Sequence, residues 1–256
     1  MTLTINEFQK VKSLKILFIS DVYFPRINGV STSIKTFVNQ MQSLGHVVHL
    51  IAPEYASINQ VNEEWVKRIP ARNIYFDPED KLMKFGEALK LMPDLERENY
   101  DIVHIHTPFI AHYLGLKIAA KLNVPCVETY HTFFEDYLHH YLPWVPKPLA
   151  KGLARMISKQ QCNAVDAIVA PSQPMLEVLR NYGVKVKAEV IPTGLQDKSF
   201  EKADGQVFRE KYDIPLDKSM LLYVGRVAFE KNIAFLLGMT KVLAEERPEV
   251  LLVVTG

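Results

Sequence analysis

Two cysteines, Cys126 and Cys162, are all that 256 residues contain, and both sit in apolar surroundings. They can build neither a disulfide framework nor a Cys-x-x-Cys metal site, so a reducing cytoplasm is the expected compartment. An excess of charge is lacking as well. The 30 Lys and Arg against 29 Asp and Glu leave a net charge of +1, and bulk electrostatics gives no argument for nucleic acid. No apolar run approaches the roughly 20 residues of a membrane-spanning helix. Met1 to Ser13 lacks a signal-peptide hydrophobic core and reads, with residue 14, as a variable lead-in. Several catalytic patterns are absent too. Without Gly-x-Gly-x-x-Gly, a Walker loop, a Gly-x-Ser-x-Gly elbow or an Asp-x-Asp triad, the sequence argues against four readings. They are dinucleotide oxidation, nucleotide hydrolysis, α/β-hydrolase chemistry and metal-assisted group transfer.

What is present is an alternation. Short apolar runs at Lys15–Ser20, Val47–Ala52, Ile102–Ile105, Val124–Thr129, Ala167–Ala170, Ala188–Ile191, Met220–Val224 and Val250–Val254 predict strands. Amphipathic segments between them predict helices: Ser31–Leu44, Lys81–Arg97, Ala111–Leu122, Lys147–Cys162, Pro174–Tyr182, Gln206–Tyr212 and Ile233–Glu246. Continuous apolar strands separated by helices indicate an α/β fold, a doubly wound parallel sheet covered on both faces. The Ile191-Pro-Thr-Gly194 break and the polar stretch after it predict a domain boundary. Residues 15–195 then form a complete Rossmann-like domain, and residues 196–256 a linker and the start of a second. About 60 residues of β–α–β cannot cover both faces of a sheet, so the chain is expected to be a fragment.

Ligand chemistry is expected in the connections. After Met220–Val224, Gly225 lets the chain turn, and Arg226 and Lys231 flank the start of the next helix. A cation at a helix N-terminus opposes the helix dipole unless an anion is present, which points to a diphosphate. The alternative is a surface ion pair with Glu230. In the first strand–helix connection, Asn28-Gly29 can adopt left-handed dihedrals, and Ser31 or Ser33 can cap the helix. The histidines cluster. His104 and His106 alternate along one strand and face one side, and His131 follows another strand end. A metal site is not expected, because no His-Glu-x-x-His helix exists and the histidines come from different strand ends. Beyond Tyr137, the aromatic Trp144 precedes Lys147, Lys151, Arg155 and Lys159, which recur every four residues as one helical stripe. That stripe is either a solvated face or a surface for an anionic membrane.

Six elements in order resemble the retaining GT-B glycosyltransferases of the family-four type. They are Asp21-x-Tyr-x-Pro-x-x-Asn-Gly-Val30, Asp101-Ile-Val-His-x-His106, Thr129-Tyr-His-Thr-Phe-Phe-Glu-Asp-Tyr137, Ala170-Pro-Ser172, Ile191-Pro-Thr-Gly194 and Gly225-Arg-x-x-x-Glu-Lys-Asn232. The Tyr-His-Thr-x-x-Glu-Asp-Tyr version is most similar to bacterial diacylglycerol glucosyltransferases. The resemblance implies two Rossmann-like domains across a cleft, a UDP- or GDP-linked sugar donor and no required cofactor or metal. It implies a saccharide or lipid acceptor such as diacylglycerol, and no nucleic-acid partner. Gly29 would bring its backbone N–H to the donor phosphate, His131 would act as the catalytic contact to the sugar, and Arg226 and Lys231 would hold the diphosphate. Asn28, Tyr130, Glu135, Tyr137 and His106 would line the cleft or acceptor side. Location follows as cytoplasmic, with peripheral attachment to the inner face of the membrane. The family's Glu-x7-Glu element is absent after Lys231, and Gln196 stands where Asp is common, so little sugar transfer is expected of these 256 residues alone. Two other readings remain at this stage: a GT-B epimerase or phosphorylase, and a non-catalytic sugar-nucleotide or lipid-binding module.

Overall fold

The computed structural model describes residues 12–55, 63–74, 77–131, 133, 145–195, 203–225, 227 and 231–255. These fall into two compact units, residues 1–196 and 197–256. The first is built on a seven-stranded parallel sheet. Its strands are β1 (Lys15–Ile19), β2 (Val47–Pro53), β3 (Val66–Ile69), β6 (Ile102–Ile105), β7 (Cys126–Thr129), β8 (Ala167–Ala170) and β9 (Lys187–Val190). They lie in the order β3-β2-β1-β6-β7-β8-β9. The helices are α1 (Gly29–Ser43), α2 (Phe85–Leu89), α3 (Met92–Arg97), α4 (Ile110–Leu122), α5 (Lys147–Cys162) and α6 (Gln173–Asn181).

Period-two alternation explains why the sheet must be covered twice. Along β1, Ile16 and Phe18 join Val48, Leu50 and Ala52 under Ile34 and Val38 of α1. Leu17 and Ile19, one residue out of phase, join Val103 and Ile105 under Leu114 and Ile118 of α4. Each Val, Leu, Ile or Phe among them, once fully buried, contributes roughly 1.5–3 kcal/mol. Helix α4 lies close on β6. A Cβ on Gly115 would stand 2.5 Å from Ile105 Cγ1, so any larger residue there must displace Ile105.

The structure corrects the sequence reading in three places. The predicted helix Lys81–Arg97 is instead the end of a strand followed by α2 and α3. That strand, β5 (Asp77–Met83), pairs antiparallel with β4 (Ala71–Ile74) as a separate hairpin, with Lys81 opposite Asn73 and Met83 opposite Ala71. Strand β3 was also not expected: at the sheet edge it carries Lys67 and Arg68, and its pattern lacks an apolar run. Finally, Asn28 is extended, at φ −157°, and Gly29 is the first helical residue. Asn28 itself caps α1, its Oδ1 accepting the Ser31 N–H at 2.8 Å, while Ser31 and Ser33 are buried in the helix.

In the second unit, α7 (Gly205–Lys211) is capped by Asp204, whose Oδ1 accepts the Gln206 N–H at 2.9 Å. Strands β10 (Ser219–Val224) and β11 (Val250–Thr255) pair in parallel, and α8 (Ile233–Glu246) connects them. Ile214 is buried here, whereas Leu222, Val224, Phe235 and Val242 are exposed.

Candidate functional site

Strand order reverses at β1. The chain runs outward from β1 to β2 and β3, then returns to β6 on its other side. Loops leaving the carboxyl ends of β1 and β6 therefore diverge there, and ligands of open α/β sheets bind in such crevices. Asp21 joins the two loops. Its carboxylate accepts the Thr107 hydroxyl at 2.9 Å and the Ala111 N–H at 3.1 Å, while its own N–H donates to Thr107 Oγ1 at 2.6 Å. The acid thus sits at the N-terminus of α4, where the helix dipole favours it. Burial still pushes its pKa up to about 7, against the lowering by Ala111 and Thr107. A second tie crosses the same edge: Ser33 Oγ of α1 lies 3.0 Å from Thr193 Oγ1, in the loop after β9. The sequence reading missed Thr107 and gave Thr193, within the Ile191-Pro-Thr-Gly194 element, no contact, since their partners lie far away in the chain.

The expected histidines do come together. His104 and His106 rings stack with centroids 4.3 Å apart, and His106 and His131 rings with centroids 5.5 Å apart. His106 Nδ1 lies 3.2 Å from His131 Nε2, and His104 Nε2 lies 2.7 Å from Thr129 Oγ1. Depth differs along the row: His104 and His106 are buried, and His131 is half-buried. His106, expected to line the cleft, thus lies behind His131. Tyr130, expected there too, is buried. Its hydroxyl is hydrogen-bonded to Ser158 Oγ of α5 at 2.8 Å.

Burial disfavours charge on all three rings. It lowers His104 from 6.5 to about 3 and His131 to about 4, and holds His106 well below 6.5, with neighbouring histidines adding to the effect on His104 and His106. The unfolded chain binds these protons near pH 6.5 and the native chain does not. Their stabilisation is therefore complete above pH 6.5 and lost as pH falls toward the native values. Asp21 runs the other way: its contribution is complete below 3.8 and lost as pH rises through about 7. Three groups against one leave a net loss on acidification, at about 1.4 kcal/mol per pH unit for each uncompensated proton. The melting temperature should fall between pH 6.5 and 5, and His104→Asn should flatten that fall. An unchanged slope in thermal melts would count against this account.

Gly29 is exposed, has no positive φ, and a Cβ there would meet nothing within 4 Å. The fold itself does not require a glycine at that position. In the second unit, Gly225 turns at φ 151° and Asn232 is left-handed at φ 50° just before α8, with Lys231 exposed beside it. Arg226, Glu135, Tyr137 and Trp144 lie outside the described residues. Lys147, Lys151, Arg155 and Lys159 are all exposed on α5, along the flank of the buried stripe of Ala150, Ala154 and Ser158. Leu149 and Met156 are exposed on the same helix. Arg155 stacks 5.7 Å from the Tyr182 ring. Beside it, a groove of about 620 Å³ is lined by Phe133, Arg155, Met156, Lys159, Val178 and Tyr182 among others. Among the described residues, no group of three His, Cys, Asp or Glu could hold a metal ion, and no helix is long and apolar enough to cross a membrane.

A doubly wound parallel sheet with its loops and histidines gathered at the carboxyl edge defines a Rossmann-like domain of the GT-B type. Consistent with this, a chain from Anabaena solved in complex with UDP-glucose shares the fold. The TM-score is 0.64 at 12% identity, over 94% of this chain and 60% of that one. The profile of Glycosyltransferase Family 4 matches residues 27–198. The chain belongs to that family. Two curated relatives are alpha-monoglucosyldiacylglycerol synthases. The one from Streptococcus pneumoniae is 31% identical over 95% of this chain and 56% of its own length. The one from Acholeplasma laidlawii is 29% identical over 86% of this chain and 57% of its own length. The chain thus spans little more than half the length of these relatives.

Proposed function

We propose that the chain is the acceptor-side domain and the beginning of the donor-side domain of a retaining glycosyltransferase. It would move a sugar from a nucleotide-diphosphate sugar to a membrane lipid such as diacylglycerol. The observation that carries the reading is the crevice edge itself, with Gly29 opening on free space at the start of α1 and His131 half-buried after β7. The names of the two synthases and the UDP-glucose held by the Anabaena fold neighbour support lipid and donor respectively. In this reading the Gly29 N–H approaches a donor phosphate and His131 hydrogen-bonds the sugar. Arg226 and Lys231 offset the charge that develops on the departing diphosphate. The acceptor attacks from the face the leaving group vacates, and the leaving phosphate takes its proton, so no protein nucleophile is required.

The test is titration of UDP- and GDP-sugars into a form of relatives' length. Arg226→Ala should weaken binding by about 1.5–3 kcal/mol, the scale of a charged hydrogen bond. Gly29→Ala should also weaken binding while leaving stability unchanged or higher, because no protein atom opposes the added methyl. Unchanged affinity in both variants would remove the diphosphate assignment. Epimerised or phosphorolysed sugar formed without acceptor would move the protein to another GT-B chemistry.

The lipid part of the reading rests on α5. Its four exposed cations and two exposed apolar side chains suit an anionic bilayer surface, where each cation near the surface contributes about 1 kcal/mol. Flotation should recover the protein with anionic vesicles and not with neutral ones, and replacing Lys147, Lys151, Arg155 and Lys159 together should abolish recovery. Equal recovery with both vesicle types would separate α5 from the membrane.

A further inference from the structure

Among the described residues of the histidine row, one fully buried nitrogen has no partner. His106 is fully buried, and its Nε2 makes no hydrogen bond. Its other nitrogen, Nδ1, faces His131 Nε2 at 3.2 Å, and Phe18 packs on its ring with centroids 4.4 Å apart. Two neutral imidazoles share one proton across such a contact, and only two arrangements are possible. If His131 Nε2–H donated to His106 Nδ1, the His106 proton would sit on Nε2 as a buried N–H with no acceptor. If His106 Nδ1–H donates to His131 Nε2, the unpartnered atom is a bare lone pair. Buried orphan donors are rarer than under-satisfied acceptors, and leaving a buried donor unmet carries a full desolvation cost. The second arrangement is therefore the stable one. With Nε2 of His131 acting as acceptor, its proton must reside on Nδ1. Among the described residues no hydrogen bond reaches that nitrogen.

We propose that His106 is a positioning residue that fixes His131 in its Nδ1–H tautomer, so that His131 offers ligands a hydrogen-bond donor. The ligand atom that accepts from it is then an oxygen, on a sugar hydroxyl or a phosphate, and not an N–H or a cationic group. Such a donor would also be held ready without titration at neutral pH, because the whole row is uncharged. This rests on the reading of His131 as a substrate contact, but the tautomer itself does not depend on that reading.

The experiment is long-range ¹H–¹⁵N correlation of the His131 ring in the ¹⁵N-labelled 256-residue chain. The expected pattern has a pyrrole-type Nδ1 and a pyridine-type Nε2. His106→Asn, whose side-chain N–H lies near the place of Nδ1–H, should keep that pattern. His106→Leu should shift His131 toward the Nε2–H form that neutral imidazole otherwise prefers. A pyrrole-type Nε2 on His131 in the unsubstituted chain overturns the proposal, and that spectrum suffices even where His106→Leu does not fold. In a form of relatives' length, His106→Leu should lower turnover about 10- to 100-fold, the usual cost of losing a partner that orients a site side chain. His106→Asn should restore most of it. The expected tautomer together with unaltered transfer in His131→Ala would sink the site reading and leave the tautomer assignment standing.

Discussion

His131→Ala, in a form of relatives' length, should reduce sugar transfer roughly 10²- to 10³-fold while leaving the fold intact. That is the usual cost of deleting one preorganised donor aimed at a polar reacting group. The ring is half-buried and backed by two fully or nearly buried imidazoles, so water competes weakly for its N–H. Its own packing contribution is modest, because one edge remains open, and removal also takes away one group that resists protonation below pH 6.5. Turnover and melting temperature should therefore respond in different directions at mildly acid pH. Steady-state kinetics with a labelled donor, alongside melts at pH 7 and 5, separates them. Transfer within threefold of the unsubstituted protein would return His131 to a packing role.

The largest loss of stability should come from a pair far from any ligand. His112 of α4 and Glu128 of β7 lie 2.9 Å apart, with side chains 2% and 3% exposed. His112→Leu leaves the Glu128 carboxyl buried without its hydrogen-bond partner, and an unmet buried group of this kind costs about 1–3 kcal/mol, more where it is charged. Burial raises the thiol pKa values of Cys126 and Cys162, and nearby Glu128 adds to both shifts. The double variant His112→Leu/Glu128→Leu should recover much of the loss, since apolar replacement of both members is often neutral. Urea unfolding of the three variants completes the cycle. A single-variant loss under about 1 kcal/mol would mean that water or a rearranged neighbour satisfies Glu128.

Apolar continuity made the central sheet legible. Strands β1, β2, β6 and β8 are buried on both faces and read as short hydrophobic runs, and α5 and α8 fall where their periodicity places them. Strand β3 carries Lys67 and Arg68 at an edge, and the β4–β5 hairpin stands apart from the main sheet; neither presents a run to read. The Asn-Gly pair suggested backbone freedom, yet what decided its geometry was the Asn28 side chain as a cap. The histidine row was half visible. Period two placed His104 beside His106, but the contact with His131 depends on β6 and β7 being neighbours. Asp21 showed only as the first residue of the Asp-x-Tyr-x-Pro element. Its role at the start of α4 is a tertiary fact, set by a partner 90 residues away.

The interior place of β1 in the sheet has a consequence for how the molecule is made. One of its two neighbours, β2, follows within one helix, but the other does not exist until β6 has been synthesised, and Lys15 bonds Asp101 across 86 residues. On a translating ribosome, the first three strands emerge as a sheet with β1 as an unpaired edge. Each doubling of the chain to be closed adds only about 0.6 kcal/mol, so the delay is set less by entropy than by the seconds needed to translate the intervening residues. For that interval a strand that ends up in the interior of the sheet is an exposed apolar edge, residues 15–19, open to pairing with another chain.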